Sequence, residues 1–533
     1  MTMKSDTKIT KGLTASKRFE VRFSEVDSMN IVWHGSYPLY FEDAREAFGA
    51  RYGLGYMDIF GNGYYAPLVE LSFKYKSPIV YGMHPLPHRH PLSADRSGQD
   101  RLRLRDTPCR DRRVAGYGPQ RAGLHGQGVP AGVDHAGILR TMERALEHEL
   151  IVRTGDHILS PLGMDSAETF GRVLEGRSGL CRYEGLWGIP EPFVASLLDF
   201  GLVDRAFGER FGSGLAEKYT GFERMCLLSA SEAIGEARID PSSPRVLFLL
   251  STTKGNVALL ERENALRDEV LPGWSAHRIA AFFRNPNDPV VVSNACTSGL
   301  CAQIAAMRAL QSGRCDHAVV IGAERQSKFI VSGFQSFKAL SPEPCRPFDR
   351  DRAGLNVGEA AATIVYSRRR RDEVDPGEWV ACRGAIRNDA NHISGPSRTG
   401  EGCYRALRAI LRDVAPGTLA FINAHGTATP YNDEMESIAI DRAGLAEVPV
   451  NGLKGYFGHT MGAAGILETI LSMRAVEQGV VLSTRGYAAC GVSHPLKISA
   501  EQGTTDRDSF VKMLSGFGGC NAAMLFKRGG MPC

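Results

Sequence analysis

From about Thr141 to the C-terminus, runs of consecutive apolar residues alternate with stretches of helical periodicity. Three of these runs are VLFLLST (246–252), HAVVIGAE (317–324) and LAFINAHGT (419–427). A strand of consecutive Val, Ile and Leu is apolar on both faces, so helices must cover both sides of its sheet. The pattern therefore predicts a large α/β unit, or two fused similar halves, built on a largely parallel sheet.

Charge and composition exclude several classes of function. Lys+Arg number 63 and Asp+Glu 59, a net charge of only +4, which argues against a dedicated nucleic-acid binder. No apolar run is long enough for a membrane span, and the N-terminus lacks the apolar segment of a secretory signal. The twelve cysteines are scattered without metal-binding spacing. We therefore predict a cytoplasmic protein with reduced thiols and no metal.

Residues 18–83 have the pattern of a small α+β unit. RFEVRF (18–23) alternates like a strand, and residues 36–52 predict a helix that begins after the N-cap Ser36 and ends before Gly53. The segment LVELSFKYKSPIVYG then returns to the alternation of a strand.

Residues 84–140 are dense in Arg, His, Pro and Gly, contain no lysine, and predict an irregular segment. Two interpretations stay open. The segment is a disordered basic linker that contacts an acidic partner, or it is translated from a shifted reading frame of G+C-rich DNA. In the first case it could itself be the functional part of a basic interaction protein.

The segment VVVSNACTSGLCAQIAAMRAL predicts a buried strand that runs into Cys296, where a helix begins at once. A sharp strand-to-helix turn of this kind presents a nucleophile at the top of a sheet. The positive N-terminus of the helix favours the thiolate. The alternative is a small buried cysteine packed as a hydrophobe, which is our interpretation of Cys301.

Two histidines strengthen the case for a catalytic site. His425 ends an apolar strand in NAHGTATPYNDEMES, and His459 precedes a helix opened by small residues in KGYFGHTMGAAG. Taken alone, each histidine is as consistent with a structural role as with a catalytic one. A helix-start cysteine with two turn-borne histidines in one α/β unit fits a nucleophile with bases that reach it across the fold.

Residues 145–533 resemble the β-ketoacyl-acyl carrier protein synthases of the elongating Cys-His-His type. The resemblance rests on several motifs in order: ALSPEPCRPFDRDRAGLNVGEAAA, NDANHISGPSRTGEG, NAHGTATPYNDEMES, KGYFGHTMGAAG and GFGGCNAAMLF. It implies the thiolase-like αβαβα fold of two similar halves, with Cys296 in the first half and both histidines in the second.

The resemblance also implies a reaction. Cys296 would take an acyl group, and His425 and His459 would bind the malonyl thioester and stabilise the enolate that decarboxylation leaves. The backbone N–H groups of Cys296 and Phe517 would form the oxyanion hole, with Phe517 as the gating aromatic. Lys454 would be a supporting lysine.

The resemblance further implies partners and surroundings for the site. Asp433 and Glu436 are candidate supporting carboxylates, and Cys520 is interpreted as packing. No cofactor would be bound, because the acyl carrier protein delivers acyl and malonyl thioesters on its own phosphopantetheine. A homodimer, or a heterodimer with a related subunit, is expected in fatty-acid, polyketide or aryl-polyene-type biosynthesis. The alternative is a non-catalytic chain-length-type subunit of a heterodimer, against which the intact cysteine and histidines argue.

The segment VRFSEVDSMNIVWHGSYPLYFEDARE resembles the hotdog-fold acyl-CoA thioesterases of the 4-hydroxybenzoyl-CoA thioesterase-like group. This resemblance implies Asp27 as base or nucleophile, with His34 nearby. The strands that would close the sheet fall in the Arg/His-rich region, so we expect an incomplete hotdog unit with weak or absent activity. The expected organisation is a partial thioesterase-like domain (1–83), the irregular segment (84–140) and a synthase domain (141–533).

Overall fold

The computed structural model describes residues 149–261 and 268–529 in full, together with the backbone of five short strands nearer the N-terminus. The chain divides into two compact units, Met1–Gly137 and Ile138–Cys533. The predicted helix 36–52 and the thioesterase-like residues Asp27 and His34 lie outside the described residues, as does the predicted strand 18–23.

The described strands of the first unit form an antiparallel sheet in the order β1-β3-β4-β5-β2. They are β1 (Leu13–Lys17), β2 (Glu70–Leu71), β3 (His88–Ala94), β4 (Asp100–Arg103) and β5 (Pro119–Arg121). The last three lie in residues 84–140, where the sequence pattern predicted no regular element. Strands pair through backbone N–H and C=O groups, and this pairing does not require the side-chain alternation that a sequence pattern detects.

The second unit contains a ten-stranded mixed sheet. In spatial order its strands are β10 (Val290–Val292), β9 (Val246–Ser251), β11 (His317–Glu324), β13 (Ala360–Arg370), β6 (Glu149–Leu159), β14 (Trp379–Asn388), β20 (Cys520–Arg528), β19 (Ser509–Gly516), β15 (Leu419–Asn423) and β16 (Val450–Asn451). Neighbouring strands are parallel towards both edges and antiparallel from β11 to β19. The prediction of a largely parallel sheet is therefore wrong in the centre. A strand buried on both faces must be apolar whether its neighbours are parallel or antiparallel, so its composition does not reveal its direction.

The sheet consists of two halves with the same topology. If the strands of each half are numbered along the chain, both halves have the order 3-2-4-5-1, and β6 pairs with β14 where the halves meet. Equivalent strand pairs of the two halves also have the same relative direction, parallel or antiparallel. The strand β10 of the first half thus corresponds to β16 of the second. This repeat confirms the predicted fold of two similar halves.

Smaller strands complete the second unit. The strands β7 (Cys181–Tyr183), β8 (Phe193–Ser196) and β12 (Val357–Gly358) form one small sheet, and β17 (Val480–Val481) pairs with β18 (Gly503–Thr504).

Helices lie in three layers around the two halves of the sheet. They are α1 (Ser166–Leu174), α2 (Phe200–Phe211), α3 (Ser213–Ala216), α4 (Gly221–Ala237), α5 (Pro272–Phe282), α6 (Ser298–Gln311), α7 (Lys328–Ser336), α8 (Glu401–Ile410), α9 (Pro430–Arg442), α10 (Lys454–Phe457) and α11 (Ala464–Glu477). Helices α4 and α8 pack on the outer faces of the first and second half, and α6 and α11 contact strands of both halves. The result is the predicted αβαβα layering. Among the described residues, no helix is long and apolar enough to span a bilayer.

The two central helices are buried around most of their circumference and cross at glycines. A Cβ at Gly465 of α11 would lie 2.4 Å from the backbone nitrogen of Leu300 on α6. A Cβ at Gly299 would lie 3.0 Å from the nitrogen of Gly465. Only glycine permits so close an approach of two backbones. The crossing thereby brings together the N-terminal ends of α6 and α11, where Cys296 and His459 are found.

Candidate active site

Cys296 lies in the sharp turn between β10 and α6, as predicted. The turn depends on Ala295, whose φ of 47° is in the left-handed region that non-glycine residues rarely adopt. Side chains within the turn offset this strain: the Ser298 hydroxyl donates to the Ala295 carbonyl at 2.6 Å, and Thr297 donates to the Asn294 carbonyl at 2.7 Å. Cys296 itself is only 9% exposed.

His459 follows α10 and is held by its backbone. Its N–H donates to the Asn356 carbonyl at 2.6 Å, and its own carbonyl accepts from Gly358 N at 3.0 Å. In the ring, Nδ1 accepts from the Met461 backbone N–H at 3.1 Å. A neutral imidazole with an accepting Nδ1 carries its proton on Nε2. This Nε2 is buried and has no hydrogen-bond partner, so it is an N–H donor available to a ligand.

His425 lies in the turn after β15, and two carboxylates of α9 hold that turn. Glu436 accepts from the backbone N–H groups of His425 (2.7 Å) and Gly426 (2.8 Å). Asp433 accepts from Thr427 N at 3.0 Å and from Ala428 N at 3.1 Å. Both carboxylates are buried. These predicted supporting residues therefore contact the backbone of the histidine turn and not its ring.

The structure brings the cysteine and both histidines together. One ligand atom from each of Cys296, His425 and His459 lies within 4.8 Å of the others, and all three residues are buried. The two imidazole rings have centroids 5.0 Å apart and lie nearly perpendicular at 77°. Such a group could also hold a metal ion, but the hydrogen bond from Met461 N leaves His459 presenting a donor where a metal needs a lone pair.

Burial controls the protonation of all three groups. It raises the pKa of the Cys296 thiol to about 11, although the charge of Lys454 and the backbone N–H of Phe517 act in the opposite direction. The helix N-terminus is expected to favour the thiolate, but desolvation acts in the opposite direction and is the larger effect on the pKa of Cys296. Burial, with Lys454, also holds the pKa of both His425 and His459 well below the usual range. At neutral pH the site contains a thiol and two neutral imidazoles.

The predicted Lys454 belongs to a buried group of charges that the sequence analysis recognised only in part. Its Nζ lies 2.8 Å from Glu468 on α11, and Lys512 on β19 lies 2.6 Å from the other oxygen of the same carboxylate. Glu468 and Lys512 were missed. A signal existed, because both are charged residues at positions of ILETILSM and SFVKMLSG that the apolar pattern places in the core.

A cavity of about 440 Å³ opens onto the three groups. Phe517, in the turn between β19 and β20, lines it together with Phe337 and Phe334, whose ring centroids lie 5.7 Å and 6.2 Å from that of Phe517. The backbone N–H of Phe517 is directed at the Cys296 sulfur. Cys520 donates to the Asn294 side chain at 3.0 Å, a contact within the packing near the turn.

Comparison with known proteins identifies the family. The β-ketoacyl synthase N-terminal domain matches residues 148–371, and the β-ketoacyl synthase C-terminal domain matches residues 380–488. The chain is 30% identical over 434 residues to the tetracenomycin polyketide synthase ketoacyl synthase alpha subunit of Streptomyces glaucescens, covering 73% of this chain and 99% of the relative. It is 28% identical to 3-oxoacyl-[acyl-carrier-protein] synthase 2 of Vibrio cholerae, covering 71% and 99%.

Solved structures agree on the fold. A β-ketoacyl synthase from Burkholderia phymatum superposes with a TM-score of 0.64 at 24% identity, covering 71% of this chain and 99% of the other. A ketosynthase in complex with its chain length factor, from Xenorhabdus doucetiae, gives 0.62 at 22% identity, covering 71% and 98%. The chain therefore belongs to the β-ketoacyl synthase family and is a condensing enzyme of the acyltransferase class.

Proposed function

We propose that the chain extends an acyl group by two carbons in a decarboxylative Claisen condensation, with Cys296, His425 and His459 as catalytic residues. The observation that carries this proposal is the buried, unpartnered Nε2 of His459, which lies in the same small group as the Cys296 sulfur. A dry N–H donor beside a nucleophile suits a reaction in which negative charge develops on a thioester oxygen.

In the first step, the Cys296 sulfur attacks the carbonyl carbon of an acyl thioester. Because the pKa of this thiol is raised to about 11, its proton must leave as the sulfur attacks. That proton passes to the departing thiolate, which leaves as the thiol. The backbone N–H groups of Cys296 and Phe517 stabilise the oxyanion, and the acyl group remains on Cys296.

In the second step, a malonyl thioester replaces the departed thiol. His459 donates its Nε2 proton in a hydrogen bond to the thioester carbonyl, and His425 provides the second donor. Loss of CO₂ leaves the electron pair as an enolate at that oxygen. Its carbon then attacks the acyl-Cys296 thioester, forming the new C–C bond and releasing the Cys296 thiolate, which takes up one proton from solvent water. Burial keeps both imidazoles neutral, and Lys454 supports this step because its charge lowers the pKa of both histidines further.

We further propose that an acyl carrier protein delivers both thioesters on its phosphopantetheine, without another cofactor, and that the chain works as a dimer. The names of similar proteins support this. One relative is a 3-oxoacyl-[acyl-carrier-protein] synthase, and similar structures contain a ketosynthase with a chain length factor or with an acyl carrier protein. The alternative of a non-catalytic partner subunit is less well supported, because Cys296 and both imidazoles converge on one cavity.

The test is mass spectrometry of the intact protein after incubation with a panel of acyl thioesters of an acyl carrier protein. Cys296 should gain the mass of one acyl group, and addition of malonyl thioester should discharge it as the β-ketoacyl product. Cys296→Ala is the control that should gain no mass. Stable acylation that malonyl thioester does not discharge would contradict condensation, and a lack of acylation by every thioester would favour the non-catalytic subunit.

For the N-terminal residues we propose a vestigial or weak acyl-CoA thioesterase activity that depends on Asp27, supported by the motif around Asp27 and His34. The test uses the full chain with Cys296→Ala, so that acyl transfer to the synthase site is removed. Slow hydrolysis of short acyl-CoA that disappears on Asp27→Ala is expected. Hydrolysis that survives Asp27→Ala would contradict this assignment.

A further inference from the structure

The side chain of Lys512 is fully buried on β19, and its ammonium group donates to four oxygens. Its Nζ donates to Glu468 at 2.6 Å, to the Met513 carbonyl at 3.1 Å, and to the carbonyls of Ala424 (3.4 Å) and Asn423 (3.5 Å). A buried ammonium is strongly unfavourable unless such partners surround it. The oxygens around Lys512 therefore form a built site for a positive charge.

These oxygens belong to the segments that carry the catalytic groups. The Asn423 and Ala424 carbonyls directly precede His425, and Met513 lies on the strand that leads to Phe517. Glu468 lies on α11, which begins just after His459. Lys512, on the strand before Phe517, thus connects this strand by hydrogen bonds to the backbone before His425 and to the helix after His459.

The same group contains two buried lysines. Within this group one carboxylate, Glu468, is ion-paired with both Lys454 and Lys512. The other acidic group that acts on Lys512 is Glu436, whose pKa burial raises to about 7. Burial lowers the pKa of Lys512 to about 8 while Glu468 raises it, which keeps the ammonium predominantly protonated at neutral pH. This charge lies near two neutral imidazoles, in a site where an anion must form.

We propose that Lys512 is a positioning residue for the condensation: as a tethered cation, it fixes the backbone before His425 on Glu468 and adds positive charge that favours the enolate. The inference rests on the proposed function. It assigns Lys512 to the malonyl half-reaction, because the transferring acyl group is stabilised by backbone N–H groups, whereas the enolate depends on the imidazoles.

The test compares Lys512→Met and Lys512→Gln with Lys512→Arg and the wild type. Three quantities are measured: the rate of Cys296 acylation by an acyl carrier thioester, kcat and KM for malonyl thioester in condensation, and the midpoint of thermal unfolding. The Met variant keeps the length of the side chain without its charge, and the Gln variant keeps a donor without charge, so it serves if the Met variant does not fold.

We expect Met and Gln to lower kcat at least tenfold, with KM and the acylation rate within about threefold of wild type, and Arg to recover part of the loss. A kcat within twofold of wild type in the Gln variant would overturn the proposal. A parallel fall of acylation and condensation would overturn it too, because a general disturbance of the site would then explain the loss. Failure of the wild type itself to condense would instead refute the proposed function.

Discussion

Replacing Gly465 by alanine tests whether the crossing of α6 and α11 fixes the geometry of the proposed catalytic groups. The new Cβ would lie 2.4 Å from Leu300 N and 2.7 Å from the carbonyl carbon of Gly299. Both are backbone atoms, so a side-chain rotation cannot relieve the clash. Restoring ordinary contacts of about 3.5 Å requires the two helices to separate by about 1 Å.

The magnitudes separate an effect on stability from an effect on catalysis. Overpacking of a core costs about 1–3 kcal/mol, and the better helix propensity of alanine offsets up to about 1 kcal/mol of it. The net loss of stability should therefore not exceed about 3 kcal/mol. Cys296 directly precedes α6 and His459 precedes α11, so the same displacement moves the reacting groups apart. A misplacement of about 1 Å can cost on the order of 100-fold in rate.

The assay is condensation turnover together with urea denaturation of the same preparations. Gly235→Ala, in the last turn of α4, is the matched control, since a Cβ there would have no atom within 4 Å. It should leave turnover unchanged and add at most about 0.5–1 kcal/mol of stability. If Gly465→Ala retains turnover within twofold of wild type, the helix crossing does not set the geometry of the site and the reasoning is refuted.

Further predictions concern single groups. His459→Phe should lower condensation by about 10²–10³-fold while acylation of Cys296 persists, and an equal loss of both in mass spectrometry and turnover would contradict its role as enolate donor. Alkylation of Cys296 by iodoacetamide should accelerate about tenfold per pH unit from pH 7 to 10, because burial raises the thiol pKa to about 11; a plateau near pH 8 would show a thiolate already present. Asp433→Asn should lower the free energy of unfolding by about 1–3 kcal/mol, because the new amide cannot accept both hydrogen bonds of the histidine turn, and urea denaturation that matches wild type would argue against this role. Burial lowers the pKa of His157 to about 4, so this residue stabilises the fold above pH 6.5 and loses that contribution as the pH falls towards 4. Between these pH values the free energy of unfolding of the wild type should fall by up to about 1.4 kcal/mol per pH unit more than that of His157→Gln. Equal dependence of the free energy of unfolding on pH in the two proteins would contradict the burial argument.

Sequence patterns predicted the elements of the site better than its electrostatics. The apolar strand before Cys296 and the small residues after His459 indicated both turns, since these features depend on residues adjacent in the chain. The direction of the Cys296 pKa could not be read from them. It depends on desolvation by distant segments, which here outweighs the helix N-terminus.

Long-range pairing explains the other differences between expectation and structure. Lys512 and Glu468 lie 44 positions apart and acquire their meaning only when β19 and α11 pack together. The direction of β13 was likewise not encoded in its composition, because an apolar strand buried on both faces looks the same whether its neighbours are parallel or antiparallel.

The repeated strand order has a consequence for how this catalyst could arise and be divided. Cys296 follows β10 and precedes α6, while His459 follows β16 and precedes α11, so the sulfur and one imidazole occupy corresponding loops of the two repeats. A single repeat, produced alone, would hold either the sulfur or the imidazoles, so the proposed reaction needs both repeats in one molecule.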